Sequence, residues 1–276
     1  MMKRSNRLVV LSEFFIENPR KHTQLPYFVE LCQTTKSSIS EDLDIIDSVL
    51  QSQGIGYLER TTGAGGGVKF IPKAKEEISN KFIDELIATL EDPSRILPGG
   101  YLYMTDILGD PKMIREIGRI FASRFADLDI DVIVTVATKG IPLAYAVASF
   151  LNVPVVIVRR DPKVTEGSSV SINYVSGSSR KIQTMVLPKR SFKEGSNVCI
   201  IDDFMKAGGT INGMVNLLAE FDAKVKAIGV LAEADDEEED RVVDTYTSLI
   251  KITKLDMANK QIGIETGNYF NTNVEE

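Results

Sequence analysis

Val198-Cys-Ile-Ile-Asp202-Asp203-Phe204-Met205-Lys206-Ala207-Gly208-Gly209-Thr210 is the stretch that decides how the chain folds. Val198 to Ile201 is a short apolar run of the kind that forms a buried strand. Two adjacent carboxylates stand at its end, and a loop closes on Gly-Gly-Thr. Apolar residues at Ile211, Met214, Val215, Leu218 and Phe221 then mark a helix. A strand whose carboxyl end feeds a glycine-containing loop and a helix is where open α/β sheets bind ligands. The helix N-terminus offers free N–H groups and positive partial charge, which suit a phosphate. The glycines let backbone approach that phosphate closely. Carboxylates repel a phosphate but suit the hydroxyls of a sugar. The ligand class that satisfies both is a phosphorylated ribose.

Upstream, Asp131-Val-Ile-Val-Thr-Val-Ala137 reads as a second buried strand. Thr138-Lys139-Gly140 makes a sharp turn, and Ile141-Pro142 opens a helix to Leu151, with proline at a favoured early position. Val153–Val158 is the next strand. This order implies a parallel sheet with right-handed crossovers. Between Arg159 and Arg190 the chain is polar, and Val170–Val175 and Ile182–Leu187 pair as a hairpin around Ser176-Gly-Ser-Ser179. A strand at Ala227–Glu233, the acidic loop Asp235–Asp240 and a last strand near Tyr246–Ile252 complete this part.

The N-terminal quarter has a different pattern. Leu8, Leu11 and Phe15 mark a helix ended by Asn18-Pro19, and Pro26–Gln33 forms a second. Ser38-Ile-Ser-Glu41 is read as a capping box, Ser at the N-cap and Glu three residues on, for a third helix carrying Ile39, Leu43, Ile46 and Leu50. Gly56–Thr61 and Val68–Ile71 then form a hairpin around the glycine-rich tip. Helix, helix, turn, helix and hairpin is the order of a winged helix–turn–helix, whose later helix enters the DNA major groove. Lys36, Ser37, Ser38 and Ser40 cluster at that helix's start, Arg60 and Lys69 flank the wing, and Arg4 and Arg7 lead into the first helix. All eight are candidate DNA contacts. Residues 1–75 hold 10 basic and 8 acidic residues, against 22 and 31 in the rest. Only the first quarter is therefore suited to docking on nucleic acid.

Between the two parts, Ile78, Phe82, Leu86 and Leu90, with Ile83 and Ile87 beside them, form a wide helical stripe, which packs the small module on the large one or on a second subunit. Pro98-Gly99-Gly100 is a turn, Tyr101 to Asp106 a strand or lid, and Lys112–Leu128 another amphipathic helix. No apolar run approaches the ~20 residues of a membrane span, and the first residues lack a signal peptide's apolar region. Cys32 and Cys199 lie far apart among apolar residues, as reduced core thiols of a cytoplasmic protein do. A single histidine, His22, leaves little scope for a zinc site or a Ser-His-Asp triad.

The opening stretch resembles the phosphoribosyl pyrophosphate (PRPP) motif of type I phosphoribosyltransferases. That motif is an apolar strand, two acidic residues, a short loop, then Thr or Ser before Gly-Gly-Thr. Ala207 departs from it, standing where the family has a hydroxyl on the 5′-phosphate, and Lys206 supplies charge beside it. The resemblance implies that Asp202, Asp203, Phe204, Met205, Lys206, Ala207, Gly208, Gly209 and Thr210 bind the ligand. It implies that Ala137, Thr138, Lys139 and Gly140 form the pyrophosphate loop, often with a non-proline cis peptide. Tyr101, Tyr103, Arg159, Arg160 and Lys163 are further candidates. The expected fold class is α/β. A winged helix–turn–helix occupies residues 1–73. A type I phosphoribosyltransferase-like domain with a mainly parallel sheet occupies 74–276, its linker helix at 74–92.

Both motifs in one chain resemble the purine operon repressors of Gram-positive bacteria. The resemblance is carried by Lys36–Asp42, Gly63–Val68, Ile96–Gly100, Val136–Pro142 and Ile200–Thr210. It implies a homodimer on double-stranded operator DNA, with PRPP, accompanied by Mg²⁺, as the effector that relieves repression. It implies no obligatory cofactor, no catalysis and no resident metal. Guanosine polyphosphates suit the same pocket chemically. The rival reading is an active purine phosphoribosyltransferase with an accessory nucleic-acid-binding domain. A third is an RNA-binding regulator, which prefers single strands or hairpins to duplex DNA.

Overall fold

The computed structural model describes residues 2–63, 65–161, 167–175, 182–191, 193–234 and 241–270. The small N-terminal unit packs α1 (Arg4–Glu17), α2 (Leu25–Cys32) and α3 (Lys36–Ser52) against a hairpin of β1 (Gly56–Thr61) and β2 (Gly67–Pro72). Leu11 and Phe15 of α1 lie four residues apart on one face, as do Ile39 and Leu43 of α3. They close a core with Phe28, Cys32, Leu58, Val68 and Phe70. The first turn of α3 begins earlier than the capping-box reading has it. Thr35 is the N-cap, its hydroxyl accepting the Ser38 N–H at 3.2 Å, and Ser38 lies inside the helix. Two hydroxyl residues three apart could each start this helix. The tight turn after α2 selects the first.

Helix α4 (Glu76–Leu90) belongs to the large domain. Its buried face is Ser79, Ile83, Leu86 and Leu90, against β11 and β12 defined below, whereas Ile78 is 42% exposed. Of the wide stripe, Ile83, Leu86 and Leu90 are buried and Phe82 and Ile87 half-buried, while Ile78 is left outside because the sheet edge covers only the row through Ile83. A short hairpin follows, β3 (Ile96–Leu97) and β4 (Tyr101–Leu102), then α5 (Thr105–Gly109) and α6 (Pro111–Phe125). The carboxylate of Asp110 caps α6 by accepting the N–H groups of Lys112 and Met113 at 2.7 and 3.1 Å.

The rest is an open sheet. Its elements are β5 (Val132–Val136), α7 (Gly140–Leu151), β6 (Val155–Val158), the hairpin β7 (Ser169–Val175) with β8 (Ile182–Pro188), β9 (Asn197–Met205), α8 (Gly209–Ala219), β10 (Lys224–Ala234), β11 (Thr247–Asp256) and β12 (Gln261–Thr266). The strand order is β12-β11-β10-β9-β5-β6, parallel except for β12. The last strand is therefore β12, beyond the one expected near Tyr246–Ile252. Strand β9 is buried on both faces, which is why its apolar run is continuous. Cys199 and Ile201 face the α6–α7 layer, while Val198 and Ile200 face α8 and the β7–β8 hairpin.

The two domains touch at Arg20. Its guanidinium donates to the carbonyls of Leu128 at 3.0 Å and Leu151, the last residue of α7, at 3.4 Å. Among the described residues no helix is long and apolar enough to cross a membrane.

Candidate effector cleft and nucleic-acid face

Strands β5 and β9 are neighbours, and the crossovers leave them in opposite directions: α7 leads to β6, α8 to β10. That is a topological switch point, where a crevice opens at the carboxyl ends of the strands. A cleft of about 1180 Å³ lies there. The turn after β5 and the loop after β9 form its floor. The hood Leu97–Leu102 and the end of β11, Ile252–Leu255, form its walls.

Of the motif residues, Asp202, Asp203, Phe204, Lys206 and Thr210 line the cleft. Met205 and Ala207 turn inward, being 2% and 4% exposed. Gly208 is the N-cap of α8 at φ 85°, a left-handed backbone that favours glycine. Ala137, Thr138 and Lys139 line the floor, and the Ala137–Thr138 peptide is cis. Gly140 sits beneath them. A Cβ there would collide with Thr135 Oγ1 and lie 2.8 Å from Asp202 Oδ1, so any side chain would push the turn off β5 and β9. Arg159, Arg160 and Tyr101 line the cleft, whereas Tyr103 lies outside its lining, beside Arg95. Lys163 falls outside the described residues. Of the hood Leu97–Leu102 the sequence reading names only Tyr101 as a ligand contact, and it names neither Asp161 nor the β11 end. Pro98-Gly99-Gly100 signals a turn but not what it faces.

The two carboxylates are buried side by side. Asp202 is 4% exposed, and its Oδ1 accepts the Asp203 N–H at 3.0 Å. Burial, and then the charge of Asp203, hold the Asp202 carboxyl well above the usual range. Burial also raises Asp203, opposed by the hydrogen bond to Asp202 and by the Lys139 ammonium. A carboxyl raised in the folded state subtracts stability once the pH exceeds its unfolded value, most fully above its folded value. The loss is recovered as the pH falls back through that range. Asp202→Asn is therefore expected to raise the Tm of the ligand-free protein at pH 7 by a few degrees, with the gain shrinking toward pH 4. Thermal melts at both pH values check this, and a lower Tm at pH 7 would contradict the assignment.

On the small domain, Lys36 and Ser37 are exposed at the start of α3, and Ser38 and Ser40 are half-buried. Arg7 is placed differently from the DNA-contact expectation. It is 6% exposed, with Nε 2.6 Å from Asp42, a residue with no exposed surface. It ties α1 to α3. Arg4 shares that carboxylate at 3.1 Å but keeps half its side chain in solvent. Arg60 pairs with Asp44 and Lys69 with Glu59, both at 2.7 Å, so these wing charges are partly neutralised.

Residues 3–72 match the family described as bacterial purine repressor, N-terminal, and residues 104–266 match the phosphoribosyl transferase domain. The chain is 58% identical over 267 residues to the purine biosynthesis transcriptional repressor PurR of Bacillus subtilis, covering 97% of this chain and 93% of that one. It is 46% identical over 270 residues to the purine biosynthesis transcriptional activator PurR of Lactococcus lactis, covering 98% and 99%. Among solved structures it resembles adenine phosphoribosyltransferase from Thermoanaerobacter pseudethanolicus, with TM-score 0.53 and 24% identity over 60% of this chain and 98% of that one. At that identity the likeness establishes the fold of the large domain. The winged module, the switch-point cleft and these full-length relatives together place the chain among the purine biosynthesis transcriptional regulators, a family to which it belongs.

Proposed function

We propose that the chain is a homodimeric repressor of purine genes that binds double-stranded operator DNA through its winged domain. In this reading PRPP with Mg²⁺ is the effector and is bound without turnover. The observation that carries the reading is one cleft in which two carboxylates stand between two backbone turns whose chemistry suits phosphates. The turn at Thr138–Gly140 suits the pyrophosphate, Asp202 and Asp203 the ribose hydroxyls, and Lys206–Thr210 the 5′-phosphate. Lys139, Arg159, Arg160 and Lys206 supply positive charge around them. Mg²⁺ takes one or two carboxylates plus ligand phosphates. Two adjacent aspartates fit that role with PRPP bound. Guanosine polyphosphates carry the same chemistry, a ribose between phosphates, and compete for the cleft.

Helix α7 offers a physical route between sites. It begins at the pyrophosphate turn and ends at Leu151, whose carbonyl receives Arg20 of the small domain. A ligand changes DNA affinity only by binding one domain arrangement better than the other. A rigid helix touching both sites is a candidate for carrying that difference.

The test is binding of an operator duplex across a PRPP titration with Mg²⁺. Release of DNA is expected, and unchanged affinity at saturating PRPP would sink the effector reading. In parallel, PRPP incubated with each purine base should give no nucleotide. Turnover on the order of 1 per second or faster would establish the rival enzyme. DNA affinity should also fall steeply with salt, through counterion release at phosphate contacts. Lys36→Ala is expected to weaken DNA binding by about 1–3 kcal/mol if Lys36 reads a base. A salt-independent curve would contradict duplex binding by this face, and an unweakened variant would move the contact elsewhere.

A further inference from the structure

The loop that receives the 5′-phosphate is held from behind. Residues Arg241–Val243, beyond the end of β10, run along the side of the loop away from the cleft. Val242 lies with Ala207 and Gly209 around a second, smaller cavity and takes no part in lining the first. The Val242 N–H donates to the carbonyl of Ala207 at 3.0 Å. Val243 is buried against Gly208, where an added Cβ would come 3.1 Å from its Cγ2.

One buried carboxylate anchors this strap. Glu233, 4% exposed, accepts from Arg241 Nη1, the Tyr246 hydroxyl and the Ser248 hydroxyl, each at 2.6 Å. Arg241 also donates from Nη2 to the carbonyl of Ala234 at 3.3 Å, and its guanidinium lies 5.1 Å from the Tyr246 ring centre. Asn268 braces the network by bonding the backbone of Tyr246 and Ser248. A buried charge is costly unless paired and fully hydrogen-bonded. Here both carboxylate oxygens are occupied, and the guanidinium is fixed from three sides.

The peptide plane gives this anchoring a consequence. The peptide between Ala207 and Gly208 is trans, so the Ala207 carbonyl and the Gly208 N–H point in opposite directions. The carbonyl faces the strap, so the N–H of the same peptide points away from it. That N–H has no backbone acceptor among the described residues. The loop also lacks a hydroxyl at 207 that could hold a phosphate by itself. Beside the charge of Lys206, backbone N–H groups then carry the hydrogen bonding that such a side chain would supply.

We infer that Glu233 and Arg241 are positioning residues for a phosphomonoester. Through Val242 they set the Ala207–Gly208 peptide so that its N–H faces the 5′-phosphate of the cleft's ligand. This rests on the effector reading above. It adds that the affinity of one end of the ligand is set by a network outside the cleft.

The test uses the full-length chain, unmodified and as Glu233→Gln and Arg241→Gln. Glu233→Gln keeps the side-chain shape. Arg241 is partly exposed, so its variant stays informative if the buried one fails to fold. Calorimetric affinities are measured for PRPP with Mg²⁺, ribose 5-phosphate and Mg²⁺-pyrophosphate, together with DNA affinity without ligand. Both variants are expected to bind PRPP and ribose 5-phosphate about tenfold more weakly, the effect of misaiming one phosphate-binding donor. Pyrophosphate and DNA affinities should stay within about twofold. A merely structural role would lower all of them together, and that result overturns the inference. So do unchanged affinities in the folded variants. If the unmodified chain itself binds no PRPP, the effector reading fails instead.

Discussion

Asp203→Ala is expected to give a protein that binds operator DNA as the unmodified chain does and no longer answers to PRPP. Asp203 stands at the carboxyl end of β9 and lines the cleft, on a different domain from the exposed start of α3. Its loss removes charge-assisted hydrogen bonds to ribose hydroxyls, which are among the stronger kind. One or two such bonds correspond to a loss of order 10–100-fold in PRPP affinity. The change should not unfold the site, because burial already disfavours this carboxylate. Without PRPP binding the DNA-competent arrangement keeps its population at every PRPP level, and purine genes stay repressed. The measurement is operator binding across a PRPP titration beside the unmodified protein. Release of DNA at the same PRPP concentration would remove Asp203 from the site. Failure to bind DNA at all would mean that the domains are more tightly coupled than the Arg20 contact suggests.

Asp42→Ala should do the reverse, abolishing DNA binding while leaving PRPP binding intact. The Asp42 carboxylate is fully buried and accepts from Arg7 Nε at 2.6 Å, Arg7 Nη2 at 3.3 Å and Arg4 Nε at 3.1 Å. Removing Asp42 strands the Arg7 guanidinium, which its burial leaves with little access to solvent, and removes the tie between α1 and α3. A core as small as that of this winged domain supplies little more than ~3–5 kcal/mol of net stability. The domain should therefore unfold near room temperature while the large domain, with its own two cores, stays folded. Calorimetry should show PRPP affinity within about twofold of the unmodified chain, and gel shifts should show no complex. Arg4→Ala separates contact from scaffold: it keeps the Arg7 pair and should only weaken DNA binding. Normal DNA binding by the Asp42 variant would show that the pair is not what joins α1 to α3.

Sequence alone determined the elements whose cause is local. The continuous apolar runs of β5 and β9 mean strands covered on both faces. Gly208 and Gly209 mark a loop where backbone can approach a phosphate, and the helix–turn–helix and wing follow from apolar spacing and turn residues within a few positions of one another. Because β5 and β9 each end in a recognisable turn, the α/β class and the floor of the cleft were legible before any packing was known.

Tertiary structure decided everything that depends on partners far apart in the chain. Arg7 reads as a surface base until Asp42, 35 residues on, arrives beside it and takes it out of solvent. Two apolar rows on α4 are equally plausible until the sheet edge chooses Ile83, Leu86 and Leu90. Strand β12 carries too short and mixed a pattern to declare itself, and it forms because β11 offers an edge to pair with. The strap is the extreme case. Glu233 and Arg241 look like ordinary charges on either side of an acidic run, and only the fold closes them into the network behind Gly208. Periodicity and turn chemistry act over a few residues, whereas the burial of a charge is settled by whatever the whole fold brings next to it.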